Sequence, residues 1–221
     1  MKRSEINRYL REAVSFFSEF KFALPPWAFW SPDDWKEKGT EYNEIKECGL
    51  GWDITDFGSG DFEKTGLFLF TVRNGKCGSS EFVKPYAEKI MIVRENQVTP
   101  IHFHWKKMED IINRGGGKLE ITLWKASEKE DLSQENFTVR IDGVEQKCKA
   151  AEKLILAPGE SIALNPYVYH TFRALEKMTL VGEVSAVNDD SNDNRFYKPA
   201  GRFPKIEEDE KPLYLLCNEY P

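Results

Sequence analysis

The 221-residue chain has a formal net charge of −6, with 40% hydrophobic and 31% charged residues. That composition supports a sizeable core and excludes global disorder, and the acidic balance argues against a nucleic-acid partner, which would need clustered Lys and Arg. The charged, then amphipathic, Met1–Ile6 start and the absence of any long apolar run point to a cytoplasmic protein with no membrane partner.

Ile6, Tyr9, Leu10, Ala13, Phe16, Phe17 and Phe20 recur at helical spacing, which predicts a helix over residues 4–22 with Ser4 as its N-cap. Its apolar side is expected to pack on a sheet, with a dimer contact as the alternative. Leu24–Pro32 holds three prolines and several large aromatics and reads as a stiff cover, after which Ser31 or Asp33 caps a short helix around Asp34–Lys38. From Gly51 the pattern changes to strands separated by turns. Trp52–Phe57 alternates, Gly66–Val72 is apolar, Asn74-Gly75 reads as a hairpin turn, and Tyr86–Val93 ends at the polar break 94–97.

The chain has only three histidines, His102, His104 and His170. On a strand, side chains at i and i+2 leave the same face, so His102 and His104 project together, and Glu109 reaches the same point if the chain turns after Trp105. Three imidazoles and one carboxylate suit a divalent first-row ion with open coordination positions. Further strands are expected at Leu119–Trp124, Phe137–Ile141 before an Asp142-Gly143 turn, Lys153–Leu156, Ser161–Leu164 and Thr179–Ser185. Residues 188–194 lack the glycine and closing glutamate of an EF-hand calcium loop. Glu207–Lys211 reads as a solvated charge run and Leu213–Cys217 as a final edge strand. Cys48, Cys77, Cys148 and Cys217 form no Cys-x-x-Cys pair and are expected to be free.

Many short strands at regular spacing indicate an all-β sandwich or barrel. His102-x-His104-x4-Glu109-x6-Gly116 resembles the first motif of the cupin superfamily, with Asn96 where that motif usually opens with glycine. Pro158-Gly159, leading to His170, resembles the second. The resemblance implies one double-stranded β-helix (jelly roll) domain over residues 1–221: a helical and aromatic extension to about 45, a barrel over about 50–187, and a C-terminal loop and edge strand over 188–221.

Arg3–Asn7, Pro25–Trp30, His102–Gly117 and Gly182–Asp190 together resemble the cupin-type D-lyxose isomerases. The resemblance implies a metal-dependent, usually manganese-dependent, aldose–ketose isomerase acting on D-lyxose and D-xylulose and on D-mannose and D-fructose, and a homodimer. Co2+, Fe2+ and Zn2+ are the alternative ions. Lys107, between two expected ligands, and Glu183, which interrupts an apolar strand and faces either solvent or the barrel mouth, are the candidate proton-transfer groups. Asp193 and Arg195, beyond that strand, are placed either on sugar hydroxyls or in a plain surface loop. The rival functions are an iron-dependent cupin dioxygenase, which needs a mostly apolar pocket, and a non-catalytic sugar-binding cupin.

Overall fold

Alternation decides how the strands are used. In the computed structural model, which describes residues 1–221, Phe68, Phe70, Ile90, Ile92 and Leu180 belong to one apolar cluster, while Leu69, Met91, Val93 and Val181 belong to another. These residues come from β2 (Leu67–Arg73), β3 (Tyr86–Val93) and β12 (Thr179–Ala186). Odd and even positions of the same strands thus pack on opposite sides of one sheet, as the period of two requires.

The other strands of that sheet are β1 (Gly51–Thr55), β5 (Glu109–Gly115), β7 (Phe137–Ile141), β8 (Val144–Cys148) and β10 (Ser161–Leu164). Their order is β1-β2-β3-β12-β5-β10-β7-β8. The second sheet contains β4 (His102–Phe103), β6 (Lys118–Lys125), β9 (Glu152–Leu156), β11 (Val168–Leu175) and β13 (Arg195–Phe196). It runs β13-β4-β11-β6-β9, and every named strand pair is antiparallel. The second cluster lies between the sheets, where Leu119, Ile121, Leu123, Phe172 and Ala174 meet Met91, Ile111 and Val181. This is the expected two-sheet jelly roll.

The N-terminal helix α1 (Arg3–Glu19) lays Ile6, Leu10, Ala13 and Phe17 on the outer face of the larger sheet, against Trp52, Ile54, Phe68 and Phe70. Trp27 of the proline-rich segment covers Phe70, with ring centroids 5.0 Å apart. The short helices α2 (Pro32–Lys36) and α3 (Asn43–Glu47) follow. Ser31 caps α2 as expected, its Oγ accepting from the Asp34 amide at 3.2 Å while its own amide donates to Asp34 Oδ2 at 2.8 Å. The helix begins at Pro32, whose ring suits the first helical turn. No helix is long and apolar enough to cross a membrane.

Four local expectations are corrected. The N-cap of α1 is Lys2, one residue before Arg3, because Ser4 is bonded through Oγ and its amide to Asp209. Asn74-Gly75 is not a tight hairpin turn: β2 and β3 are joined by residues 74–85, and Asn74 is buried. The acidic run is a clasp, since Glu208 pairs with Arg3, Asp209 with Ser4 and Glu210 with Asn7. Leu213–Cys217 makes only an isolated bridge, Leu216 to Trp52, in place of an edge strand. The Asn96 departure has a physical explanation: its φ of 59° is in the left-handed region, which asparagine tolerates where glycine would be the default.

Arg3 is 1% exposed and its guanidinium bonds both Glu208 and Glu219. Removing it takes a buried cation away from the exposed Glu208 and the half-buried Glu219 at the junction of the two chain ends. Arg3→Met is expected to destabilise the protein by about 1.5 kcal/mol in urea unfolding, the size of a hydrogen bond to a charged group. A loss below about 0.5 kcal/mol, the size of an exposed pair, would show that the clasp does not hold the helix.

Candidate active site

Inward-facing positions at one end of the barrel carry polar groups where the rest carry aliphatics. On β12, Glu183 continues the inner face of Val181; on β3, Lys89 continues that of Met91; on β5, Glu109 continues that of Ile111. With His102, His104, Lys107 and His170 they line one cavity.

The three histidines converge, with ligand nitrogens within 4.8 Å of one another. The two-residue strand β4 pairs His102 directly with His170 of β11. Each Nδ1 faces a backbone carbonyl: Pro100 at 2.9 Å from His102, Asp193 at 2.6 Å from His104, Val168 at 3.0 Å from His170. A carbonyl only accepts, so each Nδ1 carries the proton and each Nε2 keeps its lone pair. This tautomer leaves Nε2 free to ligate a metal. Burial and the neighbouring imidazoles hold the His102 pKa well below its usual value, which keeps it neutral.

Glu109 completes the set. Its Oε1 lies 3.1 Å from His170 Nε2 and 3.5 Å from His104 Nε2. It is a buried oxygen with no hydrogen-bond donor. A buried carboxylate oxygen without a donor costs free energy unless a cation meets it, and three imidazole nitrogens and this oxygen make a donor set for one divalent ion. The four residues fit a metal.

The other oxygen, Glu109 Oε2, binds Lys107 Nζ at 2.7 Å, and Lys107 Nζ also binds Glu183 Oε1 at 2.8 Å. Burial works against the Lys107 ammonium, but the Glu109 and Glu183 carboxylates outweigh it and raise the pKa above its usual value. Burial likewise pushes Glu183 up, and Lys107 and Lys89 more than reverse it, so the carboxylate is ionised. Of the two orientations open to Glu183, the structure has the inward one, at 5% exposure. Lys106 is exposed.

Asp193 and Arg195 do not line the cavity. Both oxygens of Asp193 are taken by the amides of Lys106 and Lys107, each at 2.9 Å, so this carboxylate braces the turn between His104 and Glu109. Arg195 Nε bonds Glu130 at 3.0 Å, which also accepts from Trp105 Nε1 at 2.7 Å, outside the cavity. Their neighbours Asn194 and Phe196 line it instead, the Phe196 ring 5.5 Å from that of His102.

Sequence reasoning also passed over Lys89, Asp190 and Arg202. Lys89 sits 3.4 Å from Glu183 Oε1, and Arg202 bonds Asp190 at 2.7 Å as well as Asp53. Lys89 was findable: a lysine on the inner face of an otherwise apolar strand carries the same signal as Glu183. Arg202, in an irregular segment, gave none.

A family model described as D-lyxose isomerase matches residues 1–220. D-lyxose/D-mannose isomerases of Serratia proteamaculans and Escherichia coli O157:H7 are each 51% identical over 223 residues, covering 100% of this chain and 98% of the relative. One from Thermosediminibacter oceani is 30% identical over 71% of this chain and 82% of its own. Among solved structures, the L-ribose isomerases of Cellulomonas parahominis and Acinetobacter sp. DL28, both with L-ribose, share the fold at a TM-score of 0.61, with 17% and 15% identity, over 94% of this chain and 98% of theirs. With that match over its full length, a jelly roll and a charged cavity around three convergent imidazoles, this chain belongs to the D-lyxose isomerase family and is an aldose–ketose isomerase.

Proposed function

We propose that this chain interconverts D-lyxose with D-xylulose and D-mannose with D-fructose, as a homodimer, using a divalent ion, most readily Mn2+, held by His102, His104, Glu109 and His170. The names of its relatives support the substrates. The observation that carries the mechanism is Lys107 Nζ seated between Glu109 Oε2 and Glu183 Oε1, a proton donor and a proton acceptor side by side at the donor set. The charged lining of the cavity, Lys89, Lys107, Glu183, Asp190 and Arg202 among its residues, suits a polyol and not the apolar substrate of a dioxygenase.

The reaction moves hydrogen from C2 to C1 and a proton from the C2 oxygen to the C1 oxygen. A divalent ion held by His102, His104, Glu109 and His170 would supply Lewis acidity to the reacting sugar. Glu183, held ionised by the two lysines, takes the proton from C2 while the electron pair forms the C1–C2 double bond, and Lys107 gives a proton to the C1 oxygen. Lys107 then recovers the proton of the C2 oxygen as Glu183 returns its own to C1, so both groups end as they began. Asp193 and Arg195 serve as positioning residues: Asp193 holds the turn that carries Lys107, and Arg195 anchors the strand that carries Phe196.

Five outcomes test this reading. His104→Ala and His170→Ala are expected to lose stoichiometric metal and activity together; full metal content in either variant overturns the ligand assignment. Because the imidazoles must be neutral to ligate, protons compete with the ion as pH falls, and activity should be lost in acid. An activity profile that stays flat down to about pH 4 would count against the assignment.

Lys107→Met and Glu183→Gln are expected to keep fold and metal while lowering kcat by roughly a hundred- to ten-thousand-fold, with smaller changes in KM. In D2O the product should carry deuterium at the carbon that receives hydrogen, and complete absence of label would favour a direct hydrogen shift.

A homodimer is expected in sedimentation at micromolar concentration. A monomer there contradicts that part of the proposal.

A further inference from the structure

Asn74 and Asn188 are 114 positions apart and meet through two hydrogen bonds: the Asn188 amide donates to Asn74 Oδ1 at 3.0 Å, and Asn74 Nδ2 donates to the Asn188 carbonyl at 3.0 Å. Asn74 Nδ2 also donates to the Cys48 carbonyl at 3.1 Å. The buried side-chain amide therefore acts as a strand partner for the Asn188 backbone. It does so just beyond the ends of β2 and β12, which β3 separates in the sheet. Gly75 is needed for the chain to leave this point, since a Cβ there would lie 1.9 Å from the Lys84 carbonyl oxygen.

The consequence is at the other end of Asn188. Its Oδ1 accepts from Lys89 Nζ at 2.6 Å and from Lys107 Nζ at 3.4 Å. The same two ammonium groups face Glu183 Oε1 at 3.4 and 2.8 Å. Both lysines thus share Glu183 Oε1 and Asn188 Oδ1, and Lys107 also binds Glu109 Oε2 at 2.7 Å. An amide oxygen orients an ammonium group without placing another negative charge beside Glu183. It is also fixed in place, because its own backbone is pinned by Asn74.

We propose that Asn188 is a positioning residue for the Lys107–Glu183 pair and that Asn74 acts on the reaction through Asn188. This rests on the reading of Lys107 and Glu183 as the proton-transfer groups. Replacing the amide oxygen with carbon frees the Lys107 and Lys89 head groups to shift, and displacements of about 1 Å at reacting groups cost up to roughly a hundredfold in rate.

The test uses the metal-loaded full-length enzyme, with kcat, KM, bound metal and thermal melting measured for each variant. Asn188→Leu is expected to lower kcat about ten- to a hundredfold, with KM within about threefold and metal retained. Asn188→Asp, which keeps an acceptor but sets a negative charge near Glu183, should recover only part of that loss. Asn74→Ala should lower kcat in the same direction, and the double variant with Asn188→Leu should be no slower than Asn188→Leu alone, because the two act along one path.

If Asn188→Leu fails to fold, Asn188→Ala is judged by the same criteria. A kcat within about twofold of the parent in Asn188→Leu, beside a large loss in Lys107→Met, overturns the proposal and leaves the proton-transfer pair standing. Unchanged kcat in both Lys107→Met and Glu183→Gln removes the pair and the positioning role with it. Additive losses in the double variant overturn the action of Asn74 through Asn188.

Discussion

One carboxylate sets the terms for the site. Glu109 is buried with one oxygen on Lys107 and the other without a donor, turned to two imidazole nitrogens. Taking such a charge out of water costs several kcal/mol, which a single ammonium contact does not offset on the open side. A cation at the imidazoles would complete the compensation. The pairing also fixes what Lys107 can be, because an ammonium between Glu109 and Glu183 holds its proton firmly. In the proposed mechanism it is therefore the acid, and Glu183 the base.

The fold delivers these groups with little backbone that is special to them. Glu109, Glu183 and Lys89 occupy inner positions of three adjacent strands, β5, β12 and β3, so sheet register alone sets their mutual spacing. The Glu183 Cα is opposite Lys89 on one side and Ile111 on the other. Aliphatic side chains fill the same inner face deeper in the barrel, and α1 seals the outer face of β1, β2 and β3. The histidines come from the second sheet and from the turn after β4, and Asp193 ties that turn down by two amides and one carbonyl. Rigid strands on one side and a braced turn on the other keep the donor set and the Lys107–Glu183 pair in register.

Sequence revealed what has a short-range signature. The His-x-His pair, the helical spacing of residues 6–20 and the strand alternations each depend on neighbours a few positions apart, and each was found. Glu183 was visible as a charge in an apolar strand, though its direction was not, because period two defines faces and does not say which is inside. What escaped depends on distant chain. Asn74-Gly75 has the composition of a hairpin turn, yet it meets Asn188 and needs its glycine for Lys84. The run 207–211 looks solvated until Arg3, Ser4 and Asn7 are placed beside it. Asp193 and Arg195 have chemistry that suits either sugar hydroxyls or a surface loop, and local amides and Glu130 occupy them, while Lys89 reaches the cavity from a strand and Arg202 from an irregular segment without a sequence signal.

The central claim is that one divalent ion is bound by three imidazoles and the Glu109 carboxylate. X-ray absorption fine structure of the manganese-loaded protein measures that donor set directly, independently of turnover. The account predicts an all nitrogen and oxygen shell with the multiple-scattering pattern of about three imidazoles, and loss of one light-atom contribution in Glu109→Ala. Sulfur scattering from a cysteine, or a shell without imidazole features, would contradict it.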